Sequence, residues 1–181
     1  MDAPPRISIK TVGCRLNQAE TAQIAAQFKA AGYDVVPSGT ACEVCVIHGC
    51  AVTAKAERDT LRVGRKAMAS GSTPLLVIAG CAAETNPDMV AGIFPDAIIA
   101  GQKDKWHLPA LLHAYAPGRF PAPPQATSVY PELPLFSTKR ALVKVQDGCD
   151  FNCAYCVVPR ARGRPRSLAA DMILPEIRRI A

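Results

Sequence analysis

Short apolar segments alternate with longer amphipathic ones through the first two thirds of the chain. Segments typical of strands occupy residues 6–12, 33–36, 44–47, 75–79 and 97–100, and helical periodicity covers 17–31, 53–69, a short piece after Pro87, and 105–115. Gly32 is suited to end the first helix and Thr53 to cap the second. Strands that alternate with helices predict an α/β fold with an open parallel sheet and right-handed crossovers.

A change in composition then divides the chain. Six prolines lie between residues 116 and 138, which excludes a regular helix or a central strand there and favours a semi-rigid linker. We therefore expect an N-terminal domain over 1–115, a Pro-rich linker over 116–138 and a second domain that starts at 139–181. In this last part the pattern predicts a strand at 141–146, a loop at 147–159 and a helix that begins near Ala170, with Pro175 close to its first turn.

Composition and charge narrow the class of protein. The chain is 49% hydrophobic and 20% charged, as expected of a soluble globular protein, and it carries neither an apolar run of membrane-spanning length nor a charged-then-apolar leader. We therefore expect a cytoplasmic protein with no membrane partner. The last 43 residues contain nine basic and four acidic side chains. Four arginines in a stretch without acidic residues are candidates for binding RNA, although they would also suit a solvated arm: Arg160, Arg162, Arg164 and Arg166.

Three of the eight cysteines share one local context. Cys14, Cys50 and Cys81 each follow a glycine just beyond a predicted strand. Because the carboxyl ends of parallel strands meet at one edge of a sheet, three thiols from distant positions should converge there, and a glycine before each lets the backbone turn tightly. The alternative is that these thiols are ordinary buried core residues.

A second cysteine group has the local spacing C-x3-C-x2-C. Cys149, Cys153 and Cys156 can hold three corners of a four-iron four-sulfur (4Fe–4S) cluster and leave one iron open. The alternative is a zinc knuckle with a borrowed fourth ligand. All three histidines of the chain lie before the linker, so the supply of ligands disfavours zinc.

The string from Val143 to Gly163, which contains this spacing, resembles the radical S-adenosylmethionine (SAM) enzymes, and within them the methylthiotransferase family. The resemblance implies two 4Fe–4S clusters and S-adenosyl-L-methionine as cofactors. The C-x3-C-x2-C cysteines would bind the SAM cluster with Tyr155 as a possible SAM contact, and the three glycine-preceded cysteines would be the metal ligands of an auxiliary cluster. It also implies that 139–181 is the first strand-helix unit of a truncated partial TIM barrel.

Within that family the strings 11–21, 50–53 and 80–87 look most like the MtaB group, and less like the MiaB and RimO groups. The resemblance implies a tRNA methylthiotransferase that installs a methylthio group at C2 of N6-threonylcarbamoyladenosine at position 37, with tRNA and an electron donor such as flavodoxin or ferredoxin as partners. It covers only the N-terminal portion of such an enzyme, so we expect this chain alone to be inactive. The competing hypotheses are a non-catalytic zinc- or cluster-binding module that contacts RNA, and the related methylthiotransferase activity of the MiaB or RimO type.

Two further features lie near Cys14, Cys50 and Cys81, here called the first cysteine group. The chain has His48-Gly49-Cys50 where the family usually has Asn-Thr-Cys, which would change the neighbours of the second auxiliary ligand. We expect His48 to be a structural residue. Cys42 and Cys45 form a C-x2-C, but their setting at the start of an apolar strand favours packing as small hydrophobes, so we leave them outside the ligand set.

Overall fold

The structure is a computed structural model that describes residues 3–69, 74–124 and 142–180. Five parallel strands form its central sheet in the order β2-β1-β3-β4-β5. These strands are β1 (Arg6–Thr11), β2 (Asp34–Val36), β3 (Val44–Gly49), β4 (Leu75–Gly80) and β5 (Ile98–Ala100). The predicted α/β fold with an open parallel sheet is therefore confirmed.

Helices connect the strands and cover both faces of the sheet. They are α1 (Arg15–Ala30), α2 (Ala54–Met68), α3 (Cys81–Thr85), α4 (Pro87–Ile93) and α5 (Leu108–Tyr115). Thr53 caps α2 as predicted, since its hydroxyl oxygen accepts from the Ala56 amide at 3.1 Å. The helix expected over 105–115 is divided into a 3₁₀ turn (Asp104–Trp106) and α5, and the five-residue α3 was not predicted because it is too short to show a period.

Two apolar cores lie on opposite faces of the sheet. Alternate residues of β3 enter different cores: Val46 packs with Phe28 and Leu112, whereas Ile47 packs with Leu61. Every residue of β3 is buried, as expected for the central strand of a parallel sheet covered on both sides.

The first core extends past the predicted domain boundary at residue 115. Phe120 is 1% exposed and stacks on Tyr33, with ring centroids 6.3 Å apart. The start of the expected linker is therefore packed against the sheet. Pro131 and Pro134, which helped to define that linker, lie outside the described residues.

The C-terminal part departs from the sequence prediction. Of the strand expected at 141–146, residue 141 lies outside the described residues, 142–145 have no regular structure, and only β6 (Gln146–Asp147) is a strand. It pairs antiparallel with β7 (Arg166–Ser167). A strand extends only where a partner accepts its hydrogen bonds, and β7 is the one partner of β6 in the described part of the chain. The start of a barrel stays a prediction.

Two helices flank this ribbon: α6 (Val158–Arg162) and α7 (Ala170–Ile180). Pro175 was expected close to the first turn of a helix, but it is the sixth residue of α7. Because proline has no amide hydrogen, α7 lacks one backbone hydrogen bond at that point. No described helix has the length and apolar character needed to span a bilayer.

Candidate metal centres and a buried ion network

The first cysteine group lies at the carboxyl edge of the parallel sheet. Gly49 and Gly80 are paired residues of β3 and β4, so Cys50 and Cys81 leave neighbouring strands at the same level. On the other side of β3, the Val12 amide donates to the His48 carbonyl at 3.0 Å, and Cys14 follows two residues later. The topology thus brings the three predicted thiols to one edge.

The contacts of these thiols can be stated individually. Cys14 and Cys50 interact by a side-chain hydrogen bond, which lowers the pKa of Cys14 to about 5 and raises that of Cys50. Cys81 is fully buried, and burial raises its pKa. The side-chain amide of Gln102 donates to the Cys81 sulfur at 3.2 Å, and the Val52 amide donates to the Cys50 sulfur at 3.4 Å. Each sulfur is therefore accessible to donors that can orient it.

At two glycines near these thiols, a side chain would strain the backbone and collide with a neighbouring residue. Gly13 has φ +107° and Gly80 has φ +87°, conformations that L side chains rarely adopt. A Cβ at Gly13 would lie 2.7 Å from the Cys50 sulfur, and one at Gly80 would lie 2.6 Å from Cδ2 of His48. Both positions therefore require glycine, which lets the backbone turn tightly beside Cys50 and His48.

The chemistry of the donor set fits an iron–sulfur cluster, because all three candidate ligands are free thiols. Across residues 3–69, 74–124 and 142–180, no three His, Cys, Asp or Glu side chains are arranged around one metal ion. A cubane cluster is bound through separate iron atoms, so its cysteines do not have to converge on one point as the ligands of zinc do. Soft thiolates are the ligands that such a cluster requires.

The second cysteine group lies in the loop between β6 and α6. The Cys149 amide donates to the Gly163 carbonyl and the Cys156 amide to the Cys153 carbonyl, both at 3.0 Å. Cys153 is exposed, and Cys149 and Cys156 are half-buried. Backbone hydrogen bonds therefore shape this loop, and one of its three thiols is exposed.

Gly148, directly before this loop, and Tyr155, within it, bear on how the loop closes and what it exposes. Gly148 has φ +76°, and a Cβ there would lie 2.6 Å from the Gly163 carbonyl oxygen, so the loop closes only on glycine. Tyr155 is 92% exposed. Its contact with SAM stays a prediction.

Between the two groups lies a cluster of charged side chains, here called the ion network, that sequence reasoning missed. Glu20 is fully buried and accepts hydrogen bonds from Lys105 at 2.8 Å, from Lys144 at 2.7 Å and from Arg162 at 3.0 and 3.1 Å. Asp147 accepts from Lys144 and from Arg162, both at 2.8 Å. The ion network thus consists of Glu20, Lys105, Lys144, Asp147 and Arg162.

The ion network corrects one predicted role. Arg162 was a candidate for binding RNA, yet it is 5% exposed and donates to Asn17 at 2.8 Å as well as to the two carboxylates. Arg160 and Arg164 are exposed, as an RNA-binding role requires. Arg166 is 64% exposed at its side chain and donates to the Arg162 carbonyl at 3.2 Å. A neutralised, buried guanidinium cannot reach a phosphate.

Burial and charge act in opposite directions on the carboxylates of the ion network. Burial alone would raise the pKa of Glu20, but Lys105, Arg162 and Lys144 outweigh it and hold this pKa far below its usual range. Burial would also raise the pKa of Asp147, and hydrogen bonds from Lys144 and Arg162 lower it instead. Both carboxylates are therefore ionised, and three cations face two anions.

His48 lies beside the ion network and is structural in its contacts, as expected. It is fully buried, and its Nδ1 lies 3.0 Å from the Thr21 hydroxyl and 3.2 Å from the Asn17 carbonyl. Burial, with Lys105 nearby, lowers the pKa of His48 to about 3, so the ring is neutral. Its Nε2 is 3.5 Å from a Glu20 oxygen and has no hydrogen-bond partner among the described residues.

Cys42 and Cys45 lie at the opposite end of β3 from Cys50. Cys45 is 7% exposed and belongs to the second core, and burial raises its pKa. The Cys42 sulfur lies 3.3 Å from the Ser8 hydroxyl. Neither thiol shares the edge occupied by the first cysteine group.

A cleft of about 420 Å³ opens over the ion network. Its walls come from both sides of the predicted linker, and its exposed rim is basic. The exposed basic residues of this rim include Lys103, Arg160 and Arg166.

Comparison with known proteins identifies what the chain is similar to. Residues 6–101 match the uncharacterized protein family UPF0004. The chain is 32% identical over 170 residues to the threonylcarbamoyladenosine tRNA methylthiotransferase MtaB of Chlamydia pneumoniae, covering 92% of this chain and 38% of that protein. It is 29% identical to MtaB of Bacillus subtilis, covering 96% of this chain and 40% of that protein. It is also 29% identical to the ribosomal protein uS12 methylthiotransferase RimO of Synechococcus elongatus, covering 100% of this chain and 41% of that protein.

The similarity covers nearly all of this chain but only part of each relative. The chain spans about two fifths of the length of the curated relatives it matches. The match to RimO of S. elongatus covers the whole chain, so it includes the positions of both cysteine groups and of the ion network.

Proposed function

We propose that this chain, which belongs to the uncharacterized protein family UPF0004 and has methylthiotransferases as relatives, supplies the cluster-binding part of a tRNA methylthiotransferase. The modified base is N6-threonylcarbamoyladenosine at position 37 of tRNA, and the methylthio group is installed at C2 of its adenine. The observation that carries the proposal is the arrival of three glycine-preceded cysteines at one sheet edge, with a second cysteine group on the same chain.

Each cysteine group has its own assignment. Cys149, Cys153 and Cys156 would hold a 4Fe–4S cluster with one iron left for S-adenosyl-L-methionine, which supplies the radical that removes hydrogen from C2. The first cysteine group, Cys14, Cys50 and Cys81, would hold the auxiliary cluster that carries the sulfur to be transferred.

The surrounding residues prepare the chain for these roles. The glycines at 13, 80 and 148 allow the tight backbone turns that place the cysteines after them. Gln102 orients the Cys81 sulfur by its 3.2 Å hydrogen bond. Arg160 and Arg164 are exposed cations that suit tRNA phosphates. A cytoplasmic flavodoxin or ferredoxin is the proposed electron donor.

Anaerobic reconstitution with iron and sulfide tests the assignment of both cysteine groups. We expect about eight iron atoms per chain and a broad visible absorption band. Addition of S-adenosyl-L-methionine should shift the EPR signal of one reduced cluster and leave the other unchanged. A colourless protein with stoichiometric zinc would instead support the non-catalytic module.

The substrate needs a separate experiment, because RimO of S. elongatus matches the whole chain as well as MtaB does. This chain can be fused to the downstream part of B. subtilis MtaB and, in parallel, to that of S. elongatus RimO. Each fusion is expressed in a strain that lacks the corresponding enzyme, and tRNA nucleosides and protein uS12 are analysed by mass spectrometry. We expect methylthiolation of tRNA by the first fusion. Activity of the RimO fusion alone would make the ribosomal protein the better assignment.

A further inference from the structure

Four segments that are distant in sequence meet at the ion network. Glu20 is on α1, Lys105 is in the 3₁₀ turn, Lys144 and Asp147 lie before the second cysteine loop, and Arg162 ends α6 after that loop. Residues 144 to 162 contact the sheet domain through the Glu20 carboxylate and through Asn17 beside it. The Lys144 ammonium also lies 5.1 Å from the centroid of the Trp106 ring, and α6 packs beside α3. Contact between the two parts of the chain is charged and buried here.

The ion network is connected to each cysteine group by short chains of contacts. Asn17 accepts from Arg162 at 2.8 Å, and the same oxygen lies 3.5 Å from the Cys14 sulfur. Lys105 donates to Gln102, whose amide reaches the Cys81 sulfur at 3.2 Å.

On the other side, Asp147 precedes Cys149 by two residues. The carbonyl of Gly163, which directly follows Arg162, accepts from the Cys149 amide at 3.0 Å. The second cysteine loop is thus held at both of its ends by members of the ion network.

We propose that Glu20 and Arg162 are positioning residues that lock the second cysteine loop onto the sheet edge carrying the first cysteine group, and so fix the separation of the two groups. The planar guanidinium of Arg162 suits this task because it binds both oxygens of Glu20 while it also contacts Asp147 and Asn17. The claim about the separation of two clusters rests on the proposed function. The claim that the two parts are locked does not.

Cleavage of the chain tests the lock without any metal. A recognition sequence for a site-specific protease replaces residues 128–134, and the cleaved full chain is passed over a size-exclusion column. We expect the two pieces to elute together for the wild-type sequence. Removal of one partner of a buried ion pair costs about 3–5 kcal/mol, so Arg162→Met and Glu20→Gln should weaken the association of the pieces by about 100-fold or more.

Matched variants separate this effect from general damage. Arg164→Gln removes an exposed arginine two residues from Arg162 and should leave the pieces associated. Arg162→Lys keeps the charge but loses the two-pronged geometry, and should restore only part of the association. Because residue 162 contributes nothing to the five-stranded sheet, circular dichroism of Arg162→Met should retain the helix and strand signal. Association of the Arg162→Met and Glu20→Gln pieces at wild-type strength would overturn the proposal.

A spectroscopic measurement tests the positioning role itself. In the reconstituted, uncleaved chain, two reduced clusters at a fixed separation should show magnetic coupling by EPR. Arg162→Met should retain its iron and lose that coupling, and Arg164→Gln should retain both. Unchanged coupling in Arg162→Met would overturn the positioning role. If the wild-type chain binds no iron, the proposed function fails, and the cleavage experiment still decides whether the lock exists.

Discussion

The two cysteine groups are built in opposite ways. Cys14, Cys50 and Cys81 lie just beyond the ends of three strands, and two of the three side chains are buried at the edge of the sheet. The other three cysteines lie within eight residues of one loop, none of them is fully buried, and the shape of the loop depends on local backbone hydrogen bonds.

The sequence therefore encodes the two cysteine groups in two different ways. The first group is encoded by topology, because only the order and parallel direction of β1, β3 and β4 bring its thiols together. The second is encoded by spacing alone. Changes to the fold should therefore disable the first group before the second, and the ion network is the place where the two groups depend on each other.

The largest expected effect comes from Glu20→Gln. Loss of this carboxylate leaves Lys105, Lys144 and Arg162 with one anion among them, so we expect the free energy of unfolding to fall by about 3–5 kcal/mol in urea titrations. Asp34→Asn is the control, since its pair with Arg6 is exposed at 3.8 Å and should contribute less than about 1 kcal/mol. Equal losses of unfolding free energy in the two variants would show that the buried ion network stabilises the fold no more than an exposed ion pair does.

Gly80→Ala should be next in size, because it strains the backbone directly before Cys81. The new Cβ would combine a φ of +87° with a 2.6 Å approach to His48, which we expect to cost about 2–3 kcal/mol. Gly92→Ala is the matched control. It lies inside α4 with open space around it and should be neutral or stabilising by up to about 1 kcal/mol. Thermal unfolding of both variants gives the comparison, and a Gly80→Ala protein as stable as Gly92→Ala would contradict it.

His48 predicts a dependence of stability on pH. Its pKa is about 3 in the folded protein and about 6.5 in an unfolded chain, so the unfolded state takes up a proton that the folded state does not. Stability should therefore fall as the pH decreases from about 6.5 towards 3, by about 1.4 kcal/mol per pH unit. Urea unfolding at pH 7, 6 and 5 measures the slope, and His48→Gln should be less steep by that amount. A variant with the wild-type slope would refute the assignment.

The smallest expected effect on stability is that of Cys153→Ser. The side chain is exposed, so the free energy of unfolding of the metal-free protein should change by less than about 0.5 kcal/mol. Cys81→Ser places a hydroxyl at a fully buried site and should cost about 1–2 kcal/mol. Equal losses would mean that the second loop is packed as firmly as the sheet edge.

The sequence was most informative where local pattern and topology agree. The strands were visible as apolar segments, and their parallel order placed three cysteines at one edge. It was least informative where contacts are long-range. Glu20 shares the buried face of α1 with Ile24 and Phe28, and a carboxylate on an apolar face is the signal that could have revealed a buried partner. Its partners at 105, 144 and 162 are 85 to 142 residues away.

Other differences have equally local causes. Arg162 belongs to an arginine-rich stretch, and sequence alone does not distinguish the one arginine that enters the protein from its exposed neighbours. Residues 142–145 have the composition of a strand, but strand formation depends on a partner. Phe120 lies among prolines and still packs into the core, because burial of an aromatic ring outweighs the irregular backbone around it.

We propose that the two cysteine groups bind two separate clusters. Iron content after anaerobic reconstitution tests it most directly, with Cys14, Cys50 and Cys81 changed together to Ala in one variant, and Cys149, Cys153 and Cys156 in another. We expect about eight iron atoms in the wild-type chain and about four in each triple variant. A triple variant that keeps all of its iron, or that loses all of it, would contradict the account.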